Sequence, residues 1–220
     1  MDSRADFVFP KWTNRLPAML AAGAGLGLAY VGVLIAFGFS PQATDVGYQP
    51  TQPVAYSHAI HAGKLGIDCR YCHTAVEDTA RAAIPPTQTC MGCHTNIVPE
   101  SDKLTKVKSS YQSGEPVEWV RIHDLPDYAY FNHSAHVRRG VGCRTCHGRI
   151  DKMEVVYQAE PLSMSWCLNC HRQPERFLRP LDKITDMDWN PDPQQQREIG
   201  RQVREELNIK PSLDCSTCHR

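Results

Sequence analysis

The chain has 220 residues and carries 24 Lys+Arg against 24 Asp+Glu, so no global field exists to steer a charged partner. Its ten cysteines all fall in one repeated pattern, which leaves none over for a disulfide or a free reactive thiol.

In chain order, Arg4, Lys11 and Arg15 precede a stretch with no charged side chain from Leu16 to Thr44. Its apolar centre, Ala18 to Phe39, is 22 residues long. At about 1.5 Å per residue it reaches roughly 33 Å, enough to cross a bilayer core. A cleaved signal peptide would have a shorter apolar region followed by a small-x-small site, and Phe39-Ser40-Pro41-Gln42-Ala43 is a poor one. The reading is a cytoplasmic tail over 1–15 and a retained transmembrane anchor over 16–39, with the basic flank kept inside. Gly23 and Gly27 form a Gly-x-x-x-Gly pair that permits close approach of a second membrane helix. Residues 40–53 are proline-rich and polar and read as a linker, and residues 54–220 as one further domain.

That domain holds five copies of Cys-x-x-Cys-His: Cys69-Cys72-His73, Cys90-Cys93-His94, Cys143-Cys146-His147, Cys167-Cys170-His171 and Cys215-Cys218-His219. The motif is the attachment signature of c-type haem. Two thiols a short turn apart reach the two vinyl groups of one porphyrin, and the adjacent imidazole points at the iron. Zinc ribbons and disulfide frameworks also use paired cysteines, but neither asks for the histidines. With 10 histidines scattered at random over 220 positions, one after every motif has odds of about two in ten million. The cofactor expected is five covalently bound haem c. Covalent attachment takes place on the outer face of an energy-transducing membrane, so the domain is expected in a bacterial periplasm, anchored by a single span in the inner membrane. Five buried porphyrins on an exported chain leave no reason for nucleic-acid binding.

Five histidines remain: His58, His61, His123, His133 and His136. Two pairs share a local pattern, Tyr56-Ser-His58-Ala-Ile-His61 and Phe131-Asn-His133-Ser-Ala-His136, each about ten residues before a motif. Imidazoles three apart on a helix share a face but are displaced by a turn, so they can serve two adjacent haems. The arrangement resembles the cytochrome c3 and c7 family. That resemblance implies that His58 caps the haem of His73 and His133 that of His147, with His61 and His136 capping two others. The fifth distal ligand is open between His123, which stands alone in the sequence, and a methionine, which would raise the potential. Met153 and Met164 are the preferred methionines, ahead of Met187.

Pro174 to Pro193 reads as irregular, and Asp192-Pro193 as the N-cap and first position of a helix running to about Asn208. Ile199, Val203 and Leu207 give it an apolar stripe. Elsewhere apolar periodicity is scarce. The expected fold class is a multihaem cytochrome c, mostly irregular with short α-helices around stacked haems, plus one N-terminal transmembrane helix. Arg138, Arg139, Arg144, Arg149 and Lys152 crowd the third motif, and Arg172, Arg176, Arg179 and Lys183 follow the fourth. Haem propionates are their expected partners.

The single anchor, the five motifs, the paired histidines and two long phrases resemble the pentahaem cytochrome c subunit of alternative complex III. The phrases are WVRIHDLPDYAYFNHSAHV (119–137) and MEVVYQAEPLSMSWCLNCHR (153–172). The resemblance implies an electron-relaying subunit rather than an enzyme on its own. It would pass electrons from a quinol-oxidising complex to a periplasmic cytochrome or terminal oxidase. Its partners would be an iron–sulfur subunit, polytopic quinol-binding subunits and a monohaem cytochrome. Two other readings compete. A stand-alone quinol dehydrogenase feeding a periplasmic reductase would keep its first haem close to the membrane, yet Cys69 lies 30 residues beyond Phe39. A multihaem reductase needs an open iron, whereas here distal candidates exist for every site.

Overall fold

The computed structural model describes residues 8–38 and 45–219. Arg4, Phe39, the first residues of the expected linker (40–44) and Arg220 lie outside the described residues. The chain divides into an N-terminal unit, Met1–Thr44, and a second unit, Asp45–Arg220.

In the first unit a short 3₁₀ turn, Lys11–Arg15, leads into helix α1, Leu16–Gly38. None of its described side chains is buried, and it is long and apolar enough to cross a membrane. Among the described residues, nothing lies within 4 Å of a Cβ built at Gly23 or Gly27.

The second unit is built from short helices. They are α2 (Cys69–Cys72), α3 (Thr87–His94), α4 (Thr105–Ser113), α5 (His133–Val137), α6 (Cys143–His147), α7 (Met164–Arg172), α8 (Pro193–Glu206) and α9 (Cys215–Cys218). Among the described residues there is no β-strand, only isolated bridges at Ala129–His219 and Val141–Leu178. Residues 47–52, read from the sequence as linker, are held against this unit. Gly47 N donates to Gln158 O (2.8 Å), Gln49 Nε2 to Val155 O (2.9 Å) and Gln52 Nε2 to Val120 O (2.9 Å).

Helix α8 starts as its sequence dictates. Asp192 Oδ1 accepts from Gln194 N (2.9 Å) and Gln195 N (3.0 Å), and Pro193 occupies the first turn, where its missing N–H costs nothing. Ile199, Val203 and Leu207 pack on Leu178, Ile209 and Val141. Gly200 lets the helix approach the Glu175 backbone so closely that an added Cβ would collide with its carbonyl.

Two other small cores exist, Val54–Leu104–Val107 and Val76–Val137–Ile184. Only ten apolar residues are buried in the described chain. Side chains alone therefore build three separate patches rather than one continuous core, as expected if a large apolar group completes the interior.

Candidate haem sites

Every Cys-x-x-Cys-His motif sits on a helical turn, which puts the two cysteines on one face and the histidine at its end. The turn closes through the motif's own backbone: His73 N donates to Cys69 O, and His219 N to Cys215 O, both at 2.9 Å. The cysteines are unbridged, and among the described residues no three His, Cys, Asp or Glu side chains converge as a metal cluster. Within each motif the two thiols lie one helical turn apart.

All ten imidazoles are half-buried. Seven of them turn Nδ1 toward a backbone carbonyl. Among the motif histidines, His73 faces Ala83 O (2.7 Å), His94 faces Ile97 O (2.9 Å), His171 faces Ser212 O (2.8 Å) and His219 faces Tyr128 O (3.2 Å). Among the others, His61 faces Ser57 O (2.8 Å), His133 faces Ala80 O (2.9 Å) and His136 faces Asn132 O (2.7 Å). A carbonyl only accepts, so Nδ1 carries the proton in each and Nε2 is left with a free lone pair. Anchoring one ring nitrogen so that the other can bind metal is the usual outer arrangement of a ligating histidine. The remaining three imidazoles each have a buried nitrogen without a hydrogen-bond partner: His58 Nδ1, His147 Nδ1 and His123 Nε2. Unpaired buried polar atoms are costly, and of these three only His123 leaves Nε2 unpaired, the nitrogen the other rings keep for a metal.

Ring positions support the same fit. Two imidazoles on opposite sides of one metal, each nitrogen about 2 Å from it, have ring centres roughly 6 Å apart. The His61–His94 and His136–His171 centres are both 6.1 Å apart, and the His133–His147 centres 6.4 Å, with the last pair nearly parallel at 11°. His58 and His73 are electrostatic neighbours. Burial, reinforced by His73 and His61, pushes His58 down to about 4. Burial, with His123, His133, His73 and His58 adding to it, pushes His147 down to about 3. Both rings are therefore neutral at physiological pH, the state a metal requires.

The aromatic residues of the paired pattern clamp the imidazoles. Tyr56 stands edge-on to His58 (4.8 Å, 86°) and stacks on His61 (4.5 Å, 20°). Phe131 does the same to His133 (4.8 Å, 84°) and His136 (4.5 Å, 30°). Below each, a short polar side chain caps the turn: Ile60 N donates to Ser57 Oγ (3.1 Å), and Ala135 N to Asn132 Oδ1 (3.3 Å).

The three candidates for a fifth distal ligand are placed differently. His123 packs edge-on against His147 at 4.5 Å, too close for a metal between the two rings. Met153 is 4% exposed, and its carbonyl accepts from Ala59 N (3.0 Å) beside His58. Met164 is 60% exposed at the first position of α7. Among the described residues no other histidine ring pairs with His219 at the 6 Å separation, and Tyr128 lies 5.8 Å from it.

The basic residues also divide. Arg138 pairs with Asp78, and Arg149 with Asp151 and Asp188, so the chain itself supplies their partners. Arg144 and Arg179, with Arg176, Arg197, Trp166 and Trp189, line a cleft of about 450 Å³ beside the third motif. Arg179 is 5% exposed, donates to Asp186 O (3.1 Å), and keeps its Nε without a partner. A buried cation with an unused donor fits a carboxylate such as a haem propionate. The acceptors at Ala83, Ala80 and Ser212 carry no sequence signal, because every residue has a backbone carbonyl.

Residues 129–220 match the family model described as cytochrome c7 and related cytochrome c. Over 129 residues the chain is 31% identical to the multiheme cytochrome c subunit of menaquinone reductase from Nitratidesulfovibrio vulgaris. The match takes in 57% of this chain and 60% of that relative, so the chain spans about three-fifths of the relative's length. Residues 129–220 are thus similar to cytochrome c7 and related cytochromes c, and the chain is similar to the multiheme cytochrome c subunit of a menaquinone reductase.

Proposed function

We propose that the chain is a membrane-anchored pentahaem electron relay, a subunit of a respiratory complex that exchanges electrons with the quinone pool and resembles alternative complex III. The observation that carries this reading is the set of imidazole pairs 6.1–6.4 Å apart, His61–His94, His133–His147 and His136–His171. At these three sites, ligation on both sides of a metal would leave no position for a substrate, which favours a relay there over a reductase with an open iron. By correspondence between the two His-x-x-His modules, His58 serves the site of His73 as His133 serves that of His147.

When bound, haem c would supply a one-electron redox centre at each motif. The ten motif cysteines hold each group covalently. The backbone carbonyls facing Nδ1 fix ring orientation and raise the basicity of the ligating nitrogen. Met153, Met164 and His123 are the candidates for the distal residue of the fifth site, and His123 has a buried Nε2 without a hydrogen-bond partner. The anchor would hold the haem domain at the periplasmic face of the inner membrane. Iron–sulfur, polytopic quinol-binding and monohaem cytochrome subunits are the partners in this reading.

The name of the relative favours a second direction of flow, from periplasmic donors into menaquinone. One purification tests both. The chain is extracted in mild detergent, its intact mass is measured, and co-purifying proteins are identified by mass spectrometry. Five haem additions together with iron–sulfur and polytopic subunits are expected. A chain that comes alone and is reduced directly by a quinol analogue would instead be a quinol dehydrogenase. Whether the purified complex oxidises quinol or reduces menaquinone decides direction.

A further inference from the structure

We propose that the five attachment sites lie along one path in the order second, first, third, fourth, fifth, so the path ends at Cys90–His94 and Cys215–His219 and its central junction joins the first and third motifs. The inference rests on the five-haem reading but concerns arrangement, which the sequence does not contain.

Each link has its own contacts. The second site joins the first through one turn: His58 and His61 are three residues apart, and the His61 ring faces His94 at 6.1 Å. The Cys72 thiol has Cys90 and Cys93 as neighbours. The first joins the third by backbone and core. His133 N (3.1 Å) and His133 Nδ1 (2.9 Å) both donate to Ala80 O, and Ser134 N donates to Thr79 O (3.1 Å). Val76 shares a core with Val137 and Ile184, against which Cys143 packs. Thr185 Oγ1 donates to Asp68 Oδ2 (2.8 Å), and the Cys69 and Cys143 thiols are immediate neighbours.

The third joins the fourth as the first joins the second: His136, three residues after His133, faces His171 at 6.1 Å, and Cys146 neighbours Cys170 and Cys167. The fourth joins the fifth because His171 Nδ1 donates to Ser212 O (2.8 Å), just before Cys215, and Cys167 neighbours Cys218. Exposure agrees with the two ends. Of the ten cysteines only Cys93 and Cys215 are exposed, and they belong to the second and fifth motifs. A relay that meets its partners at its ends needs those ends at the surface.

The test removes one haem at a time from the full chain by Cys→Ala replacement of both cysteines of a motif, with intact mass confirming the loss. Redox titration followed by the low-spin ferric EPR signals then reads which remaining haems shift. C90A/C93A is expected to shift one remaining signal, that of the first site. C215A/C218A should also shift one, the fourth, and C143A/C146A should shift two, the first and fourth. If a variant fails to fold, His94→Met, His147→Met and His219→Met change one potential while keeping the haem, and the same neighbours are read. Double variants sharpen the assignment, since adjacent sites give non-additive shifts and separated sites additive ones. Disturbance of the third or fourth site by loss of the second, or an undisturbed first site after loss of the third, overturns the order. A wild-type mass short of five haems sinks the functional reading itself, independently of any coupling pattern.

Discussion

The two His-x-x-His modules, 56–94 and 131–171, place their rings almost identically on different backbones. The aromatic-to-histidine distances are 4.8 and 4.5 Å in both. Yet the first pair opens a π-helical turn, Ala59–Lys64, and the second opens the α-helix α5. Ring placement therefore follows from the aromatic clamp and the carbonyl four residues back, not from helix type. What differs is the surroundings of the motif that follows. Asp68 caps α2 through Arg70 N (2.8 Å), while α6 starts at Gly142, which has no side chain to cap with. A Cβ there would collide with the Arg179 guanidinium. The first site thus has a carboxylate at its helix start and the third a buried arginine.

The largest test of this comparison is removal of a haem from each module. Cys143→Ala with Cys146→Ala should remove one haem and stop electron transfer through the chain without abolishing membrane insertion. Cys69→Ala with Cys72→Ala should do the same, because both sites are interior to the path. Full quinone-linked turnover in either variant would sink the relay.

Next in size is loss of a distal imidazole. His61→Ala and His136→Ala should each convert one low-spin haem to high-spin, a change read directly in the EPR spectrum. Unchanged spectra would remove these two residues from the ligand set. Tyr56→Phe is expected to leave the spectrum as it is, because the clamp needs only the ring.

The opposed charges sharpen the comparison further. A positive group disfavours the oxidised, more positive centre, so Arg179 should raise the potential of the third site. Arg179→Leu should lower the third site's potential and leave the first site's in place. A uniform shift of all five would show that Arg179 acts through folding instead. Stability gives a control away from the haems. Gly200→Ala forces α8 off Glu175 and should cost about 1–3 kcal/mol as overpacking, and Leu178→Ala about 2–5 kcal/mol as a cavity, both read as lowered Tm.

Much of this was legible in the sequence where chemistry is local. The five motifs, the two aromatic-His pairs and the Asp192-Pro193 helix start each need only neighbours in the chain, and the described structure has these helices and ring contacts. The Ile199–Val203–Leu207 stripe was also readable, since a four-residue spacing has one physical use on a surface helix. Legibility failed where a long-range partner decides. Ala80, Ala83 and Ser212 act through their carbonyls, and nothing in an alanine or serine announces that. The linker reading missed residues 47–52 pairing with Gln158, Val155 and Val120, because proline content limits local structure but not docking. Arginine clustering was visible, yet Arg138 and Arg149 bond to acids at 78, 151 and 188.

The smallest effect separates the modules by acid. The Arg70 guanidinium beside Asp68 holds its carboxyl down at about 2, against an ordinary value of 3.8, with Arg70 N and Thr185 Oγ1 also donating to it. A depressed folded-state value stabilises the fold above the unfolded pKa. That contribution is lost as pH falls from near 3.8 through about 2. The side chain is 41% exposed, so screening should hold the contribution to less than about 1 kcal/mol. Asp68→Asn keeps an acceptor for the cap and for Thr185 but removes the charge. Its unfolding free energy should therefore fall less steeply between pH 4 and 2 than the wild type's, with Gly142→Ala as a variant that changes stability without changing that slope. If Asp68→Asn leaves the slope unaltered, the acid sensitivity belongs to other carboxylates, and the charge contrast between the two modules loses its negative half.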